Sequence, residues 1–447
     1  MKFRLAPRMS AWVAVVMVIV HPVDVPAQVS SPTRLSQVEA DLASYVDAHN
    51  DEALTLLERV VNVNSGSMNL EGVREVGRIL RAEFDALGFT TEWVDGAAFD
   101  RAGHLVAERN GSGPRLLLIG HLDTVFEPDS PFQRYELVSD SIARGPGVAD
   151  MKGGDVIIIH ALKALHAAGE LDEMSITVVM TGDEERSGRP LDRAREALVE
   201  AARAADIAIG FENGDGNPRT AVIARRGFTG WELRVTGRPA HSSQIFRDDI
   251  GAGAIYEMSR VLNGFYEELS GEEYLTFNPG VSLAGTTVEF DAEQDRGGAF
   301  GKTNVVAEHA IVTGDLRALS LEQRDNAKTR MQAIVAKSLP HTQAEITFRD
   351  SYPPLAPTDG NRRLLGLFDE VSRDLGFGPV TPVDPGAAGA ADVSFTSGLV
   401  EMAIDGLGMG GADDHTINET GDLSTLPMQA KRAAVLMLRL TRRDGVE

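Results

Sequence analysis

Helical and strand patterns alternate through the first half of the chain. Apolar residues recur every three or four positions over 35–63 and 72–87, which predicts amphipathic helices, the second of them ending at Gly88. Short apolar runs bounded by turns predict strands at 89–94, 104–109, 115–119, 175–181 and 207–211, with helices at 155–168 and 192–202. This alternation predicts an α/β fold with a mainly parallel sheet covered by helices on both faces.

The pattern changes after residue 220. Strand patterns at 220–235, 281–290, 303–316 and 344–349 and helical patterns at 251–265 and 321–338 follow the order β-α-β-β-α-β. That order predicts an α+β ferredoxin-like domain inserted into the larger one. A proline-rich tract at 351–357 indicates the return, and a helix at 362–375, a strand at 401–404 and a helix at 427–440 complete the larger domain. We therefore expect one domain built from 28–220 and 350–447, and an inserted domain at 221–349.

The first 27 residues have the features of an export signal. Lys2, Arg4 and Arg8 precede an apolar stretch at 11–20, which is too short to span a bilayer, and small residues precede Gln28. We expect cleavage before Gln28, a periplasmic or extracellular location and no membrane attachment afterwards. A retained membrane anchor is the alternative.

Composition limits the number of domains, the partners and the metal ligands that we expect. A chain of 447 residues is long for one core, which favours two domains. The formal net charge of −23 offers no basic surface for nucleic acid. The chain has no cysteine, so disulfides and thiolate ligands are excluded, and any metal site must use His, Asp and Glu.

Acidic and imidazole side chains follow three of the predicted strands. His121 and Asp123 follow the first of these strands, Glu184 and Glu185 the second, and Glu212 the third. Taken singly, each is explained as a solvated loop residue. Because the carboxyl ends of parallel strands meet at one edge of a sheet, however, we expect them to lie close together. This mixture of donors suits a hydrolytic zinc site, in which one of the adjacent glutamates binds metal while the other moves protons.

Asp150 lies between a glycine-rich turn and a predicted helix. As an isolated feature it is more simply explained as a helix cap. The turn also resembles a phosphate cradle, but the Gly-Lys-Ser/Thr pattern is absent, so nucleotide binding is a remote alternative.

In combination, these motifs resemble the di-zinc exopeptidases and deacylases that include glutamate carboxypeptidase, aminoacylase and succinyl-diaminopimelate desuccinylase. The resemblance covers essentially the whole mature chain and the inserted domain. Its motifs are Gly-His-Leu-Asp-Thr-Val (120–125), Gly-Pro-Gly-Val-Ala-Asp-Met-Lys-Gly-Gly (145–154), Thr-Gly-Asp-Glu-Glu (181–185), Phe-Glu (211–212) and Asp-His (414–415).

The resemblance implies two zinc ions per subunit, with Co²⁺ or Mn²⁺ as substitutes. Asp150 matches the carboxylate that bridges the two metals. His121 and Glu212 match the remaining ligands of one metal, and Glu185 and His415 those of the other.

The resemblance also assigns roles in proton transfer and orientation. Glu184 matches the general base that deprotonates the bridging water and later protonates the leaving amine. Asp123 matches the carboxylate that orients His121 from behind. The Asp150–Met151 peptide is expected to be cis.

Substrate-binding residues follow from the same resemblance. His241 matches a histidine that stabilises the oxyanion, often in the neighbouring subunit of a homodimer formed through the inserted domain. Asn304 and Arg317 match residues that hold the substrate carboxylate, although an ion pair with Asp315 is the alternative for Arg317. The turn before Asp392 lacks the hydroxyl residue of many relatives, which leaves backbone donors of Gly389 as the candidate contact.

The implied function is that of a carboxypeptidase-type hydrolase. It would cleave an amide bond next to a free carboxylate in small peptides or N-acyl amino acids, with C-terminal glutamate as one candidate. An N-acyl-amino-acid deacylase uses identical chemistry and is the nearest alternative. A catalytically silent zinc-binding protein is another alternative, against which the full ligand set and Glu184 argue.

Overall fold

The computed structural model describes residues 35–292 and 296–442, so the predicted signal segment lies outside the described residues. Ten α-helices are found in these ranges: α1 Gln37–Ala48, α2 Asn50–Val61, α3 Leu70–Ala86, α4 Lys152–Ala167, α5 Leu191–Ala194, α6 Glu196–Ala204, α7 Gly253–Leu269, α8 Leu321–Val335, α9 Asp359–Asp374 and α10 Thr425–Arg442. None of the helices in the described part combines the length and apolar character needed to cross a bilayer.

The strands of the same ranges form five sheets. They are β1 Thr90–Asp95, β2 Gly103–Arg109, β3 Ser112–His121, β4 Glu136–Leu137, β5 Ile142–Arg144, β6 Met174–Thr181, β7 Ile207–Gly210, β8 Thr220–Ala221, β9 Thr229–Thr236, β10 Thr276–Gly285, β11 Thr287–Asp291, β12 Arg296–Phe300, β13 His309–Arg317, β14 Gln343–Asp350, β15 Thr381–Pro382, β16 Met402–Ile404, β17 Gly411–Ala412 and β18 Thr420–Asp422.

The central sheet has the strand order β1-β2-β6-β3-β7-β16. Strand β2 is antiparallel to both of its neighbours, whereas the pairs β6–β3, β3–β7 and β7–β16 are parallel. The mainly parallel sheet predicted from the alternating pattern is therefore confirmed. Its parallel strands bring the residues after β3, β6 and β7 to one edge.

Strand β3 shows why the sheet is covered on both faces. Leu116 and Leu118 lie in the large core that includes residues of α1, α2, α4 and α10. Leu117 and Ile119 lie in a second core with Leu198 of α6. Because successive side chains of a strand point to opposite faces, one continuous apolar run serves both cores.

The inserted region forms a four-stranded antiparallel sheet of order β10-β13-β9-β14. Trp231 and Leu233 of β9 pack in a separate core with Phe265 of α7 and Met331 of α8. This is the predicted ferredoxin-like arrangement, with one additional hairpin, β11–β12, between the second and third strands. Helix α7 presents Ile255, Tyr256 and Tyr266 as exposed apolar side chains. The domain boundaries and the homodimer stay predictions.

Some predicted elements are wrong in extent. The helix predicted over 192–202 is interrupted at Arg195, and the strand predicted over 220–235 is divided into β8 and β9. The run at 281–290 is divided between β10 and β11, and the strand predicted from 303 begins only at His309. Gly88 follows α3 with φ of +78°, as expected of a helix-ending glycine.

Candidate metal centre

Five side chains from separate parts of the chain form one cluster. His121 Nε2 lies 3.2 Å from Asp150 Oδ1 and 3.4 Å from Glu212 Oε1. His415 Nε2 lies 3.1 Å from Asp150 Oδ2 and 3.2 Å from Glu185 Oε2. The two oxygens of Asp150 therefore face different imidazoles. The structure thus brings together all five residues for which metal binding was predicted, while their roles as ligands stay predictions.

Asp150 does not cap α4. The N-cap position is Met151, which makes no side-chain capping bond, and the Asp150–Met151 peptide is cis, as expected. The phosphate-cradle interpretation is also unsupported, because Lys152 is fully buried and donates to the Val63 carbonyl at 3.0 Å. The glycine-rich turn instead serves to present the Asp150 carboxylate.

Glu419, which no sequence motif indicates, holds that turn. Its buried carboxylate accepts hydrogen bonds from the backbone N–H groups of Gly147, Ala149 and Asp150 at 3.1, 2.9 and 3.1 Å. Because the partners are backbone groups, no side-chain pattern in the sequence indicates the contact. Glu419 therefore orients Asp150 without belonging to the cluster itself.

We expect Glu419→Ala to weaken metal binding about 10- to 100-fold, the usual effect of losing a group that supports a ligand. Three N–H groups would lose their acceptor, and the loop would no longer hold Asp150 in place. Metal-buffered titration measures the effect. Glu136→Ala is the control, since Glu136 is exposed and pairs with Arg144. Equal metal affinity in both variants would show that Glu419 has no such role.

Asp123 is buried next to His121. Its Oδ1 is 3.5 Å from His121 Nδ1, and its two oxygens accept the N–H groups of Glu184 and Glu185 at 3.0 and 3.1 Å. The Ser67 hydroxyl donates to Oδ2 at 2.5 Å. This one buried carboxylate thus holds the backbone of both adjacent glutamates. The hydrogen bond of His121 Nδ1 is with the Asp123 backbone carbonyl, at 3.1 Å, so the orientation of the imidazole by the carboxylate stays a prediction.

The cluster contains more acid than base. Burial raises the pKa of Glu212 well above its usual range, and the neighbouring charge of Asp150 raises this pKa further. Hydrogen bonds to Asp150 and Glu185 raise the pKa of His415 to about 11. Burial opposes protonation of His121, but Glu212 and the neighbouring aspartates still raise its pKa well above the usual value. Without a cation, the cluster therefore favours bound protons on both its imidazoles and its carboxyl groups.

The donor set fits divalent metal ions. Glu185 Oε1 is buried and has no hydrogen-bond partner, although it lies beside an imidazole that faces two carboxylates. The ligand atoms of His121, Asp150 and Glu185 lie within 4.8 Å of one another, as do those of Asp150, Asp414 and His415. Metal ions would displace the imidazole protons and satisfy the unpaired oxygen. Asp414 was not predicted as a candidate ligand.

Glu184 is close to the same atoms. With His121 and Glu212 it forms a further group whose candidate ligand atoms lie within 4.8 Å of one another. Burial, with the carboxylates of Asp392 and Glu185 adding to it, raises the pKa of Glu184 well above its usual range. Glu184 therefore lies where it could exchange a proton with a water held by the cluster, which is the role predicted for it.

His241 and Asn304 lie together on the inserted domain. The Ser242 N–H donates to the Asn304 carbonyl at 2.9 Å, and His241 pairs with Val305 in an isolated bridge. The His241 ring contacts the Ser243 hydroxyl at 2.8 Å. These contacts lie within the inserted domain, so the predicted roles of both residues in substrate binding stay predictions.

Arg317 makes the predicted alternative contact. Its Nε donates to Asp315 at 3.0 Å, and its guanidinium lies over the Phe228 ring, 5.1 Å from the centroid. These contacts orient the side chain without using its terminal nitrogens, so the ion pair and a carboxylate-binding role are compatible. Gly389 is exposed, and its carbonyl accepts from Arg225 Nη1 at 2.8 Å. Its predicted donor role is untested.

Two buried ion-pair networks, which were not predicted, support the cluster. In one, Arg225 pairs with Asp405 at 2.7 Å, and Asp405 accepts the Glu212 N–H at 3.2 Å. In the other, Arg195 pairs with Asp183 at 2.6 Å and Asp392 at 2.8 Å, and Arg195 Nη2 donates to the Tyr352 hydroxyl at 2.8 Å.

Comparison with known proteins finds a matching family and similar sequences. The model of Peptidase family M20/M25/M40 matches residues 117–439. Carboxypeptidase G2 of Pseudomonas sp. is 27% identical over 395 residues, covering 86% of this chain and 88% of its own. Succinyl-diaminopimelate desuccinylase of Alkalilimnicola ehrlichii is 24% identical and covers 78% of this chain and 90% of its own.

Solved structures share the fold. Aminopeptidase PepT from Bacillus cereus aligns with a TM-score of 0.69 at 17% identity, covering 88% of this chain and 99% of its own. The Bacillus subtilis YXEP protein, described as a dinuclear metal-binding peptidase, aligns with a TM-score of 0.61 at 16% identity, with coverage of 88% and 99%.

Proposed function

The chain belongs to Peptidase family M20/M25/M40 and is a hydrolase, and we propose that it uses two zinc ions to cleave an amide bond next to a free carboxylate. Its substrates would be small peptides or N-acyl amino acids, with C-terminal glutamate a candidate. The observation that carries this proposal is the shared Asp150 carboxylate, whose two oxygens face His121 and His415.

Different residues of the chain would bind the metals and transfer the proton. His121, Asp150 and Glu212 would hold one metal, and Asp150, Glu185 and His415 the other. When bound, the metals would polarise the scissile carbonyl and make an attacking water acidic near neutral pH. Glu184 would take the proton of that water and return it to the leaving nitrogen as the C–N bond breaks.

The proposal that the substrate carries a free carboxylate rests on Arg317. Asp315 and the Phe228 ring hold its guanidinium, while its terminal nitrogens donate to no acceptor among residues 35–292 and 296–442. A planar guanidinium fork matches a carboxylate in two parallel hydrogen bonds. The names of the relatives given above also support substrates of this class, since a carboxypeptidase and a desuccinylase both act at amide bonds of carboxylate-bearing compounds. Export and the homodimer stay predictions.

We expect hydrolysis of C-terminal glutamyl dipeptides or N-acylglutamates, tested as a panel and measured by release of the free amino group. Chelation should abolish turnover and added Zn²⁺ should restore it. The matched control is each substrate with its carboxylate converted to an amide, which should react at least tenfold more slowly. Faster cleavage of acyl amino acids than of dipeptides would select the deacylase alternative. Activity that survives thorough chelation would exclude the metal mechanism.

A further inference from the structure

His104, the second residue of β2, is a buried histidine outside the metal cluster. It is 1% exposed, and the Phe99 ring stacks on its imidazole with the ring centroids 5.0 Å apart. Both ring nitrogens have backbone partners. Nε2 lies 2.8 Å from the Ala194 carbonyl oxygen, and Nδ1 lies 3.2 Å from the backbone nitrogen of Gly182. The imidazole therefore connects the end of α5 to the chain directly after β6.

These two partners fix the protonation state of the ring. A carbonyl oxygen only accepts hydrogen bonds, so the contact with Ala194 needs a proton on Nε2, whereas the Gly182 N–H needs a free lone pair on Nδ1. The neutral imidazole with its proton on Nε2 is the one form that satisfies both contacts. Burial lowers the pKa of His104, although the charge of Asp183 opposes this, and a lowered pKa favours the same neutral form.

A charged His104 paired with Asp183 is the alternative. The Nδ1–Oδ1 distance is 4.0 Å, and the Asp183 carboxylate already pairs with Arg195 at 2.6 Å and accepts the Gly188 N–H at 2.7 Å. Asp392, the other carboxylate that acts on the ring, also pairs with Arg195, at 2.8 Å. Both carboxylates therefore have charged partners other than His104, and a proton on Nδ1 would face an N–H group that donates to it.

The Nδ1 contact holds the start of the loop that carries the two adjacent glutamates. Gly182 directly follows the last residue of β6 and precedes Glu184 and Glu185 by two and three residues. A Cβ at Gly182 would lie 2.3 Å from the carbonyl oxygen of Gly103, so the chain passes tightly against the first residues of β2. The Gly182 N–H is buried there, and the imidazole of His104 supplies its acceptor.

We propose that His104 is a positioning residue, whose neutral imidazole holds Gly182 and thereby keeps Glu184 and Glu185 in place at the metal cluster. The inference rests on the function proposed above, in which Glu184 moves the proton and Glu185 binds metal. Loss of the Nδ1 acceptor leaves a buried N–H unpaired and releases the start of the loop. A displacement of about 1 Å at a catalytic group costs about 10²-fold in turnover.

Two amide variants separate the two contacts of the ring. In His104→Asn, the side-chain oxygen takes the place of Nδ1 and accepts the Gly182 N–H, whereas the short amide does not reach Ala194. In His104→Gln, the amide nitrogen takes the place of Nε2 and donates to Ala194, whereas the Nδ1 acceptor is lost. At saturating Zn²⁺, His104→Gln should lower kcat about 10- to 100-fold and His104→Asn about threefold or less. Zn²⁺ affinity should follow the same order, because Glu185 lies on the same loop.

His160→Gln is the matched control. His160 is 2% exposed, and its Nε2 lies 3.0 Å from the carbonyl oxygen of Val46 in α1. The glutamine keeps a donor at this position, so kcat and Zn²⁺ affinity should not change. Near-ultraviolet circular dichroism checks that each variant is folded. Equal values of kcat and of Zn²⁺ affinity in His104→Asn and His104→Gln would overturn the proposal, because they would show that the Gly182 contact positions nothing.

Nitrogen-15 NMR of the imidazoles tests the protonation state without an activity assay. At pH 6.5, where an ordinary histidine is about half charged, His104 should carry its proton on Nε2 alone. A proton on Nδ1 would overturn the proposal even in an active enzyme. If no substrate of the panel were hydrolysed but Zn²⁺ affinity still fell in His104→Gln and not in His104→Asn, the proposed function would fail while the positioning role of His104 would be supported.

Discussion

Glu184→Gln is expected to lower kcat about 10²- to 10⁴-fold while both metals stay bound, because the amide has the size of the carboxylate but accepts no proton at neutral pH. The five predicted metal ligands are unchanged in this variant, and Asp123 still accepts the backbone N–H of residue 184. The measurement is steady-state kinetics on the best substrate of the panel, together with metal content by mass spectrometry.

Substitution of the adjacent residue, Glu185, is expected to have a different effect on metal content. Glu185→Gln removes a carboxylate that faces His415 at 3.2 Å, so this variant should lose metal as well as activity. The two variants would then lose activity for different reasons, Glu184→Gln through loss of proton transfer and Glu185→Gln through loss of metal. If Glu184→Gln kept kcat within tenfold of the unaltered enzyme, Glu184 would not be the general base.

The cluster was predictable because its residues follow strands with clear apolar runs. His121 is the last residue of β3, Glu185 and Glu212 come after β6 and β7, and parallel strands bring their carboxyl ends to one edge. His415 lies between β17 and β18, which have only two and three residues and no alternating pattern. Its place in the site followed from the family resemblance alone.

The supporting residues were not predictable by the same means. Glu419 binds backbone N–H groups, and Asp405 pairs with Arg225 across 180 positions of the chain. Neither contact leaves a local periodicity in the sequence. Long-range partners of buried charges depend on how distant loops pack, which residue spacing does not encode.

The interruption between α5 and α6 also results from long-range partners of a buried charge. Ala194, Leu198 and Ala202 are buried at helical spacing, so the sequence predicts one continuous helix. Arg195 instead adopts φ −110° and ψ 5° and turns its guanidinium inward, where it binds Asp183 and Asp392. Two buried carboxylates outweigh the local preference for helix, because ionised groups in the core must be paired.

Replacement of Arg195 by methionine is therefore expected to lower the free energy of unfolding by about 3–5 kcal/mol, since it leaves two buried carboxylates without a counter-ion. The arginine is 1% exposed, and burial already raises the pKa of Asp183 even with the guanidinium present. Denaturant unfolding of the metal-loaded protein measures the loss. Arg193→Met is the matched control, because Arg193 is mostly exposed and pairs with Glu196, and it should cost less than about 1 kcal/mol.

A combined variant separates the charge effect from packing. If unpaired carboxylates cause the loss, adding Asp183→Asn and Asp392→Asn to Arg195→Met should recover part of the free energy of unfolding. Turnover should also fall in Arg195→Met, because Arg195 holds the Tyr352 hydroxyl, which donates to the Glu184 carbonyl at 3.0 Å. Equal unfolding free energies for the variants at 193 and 195 would mean that the network contributes nothing to stability. Equal turnover of the two variants would mean that the position of Glu184 depends on Asp123, whose oxygen accepts its N–H, rather than on the buried ion pairs.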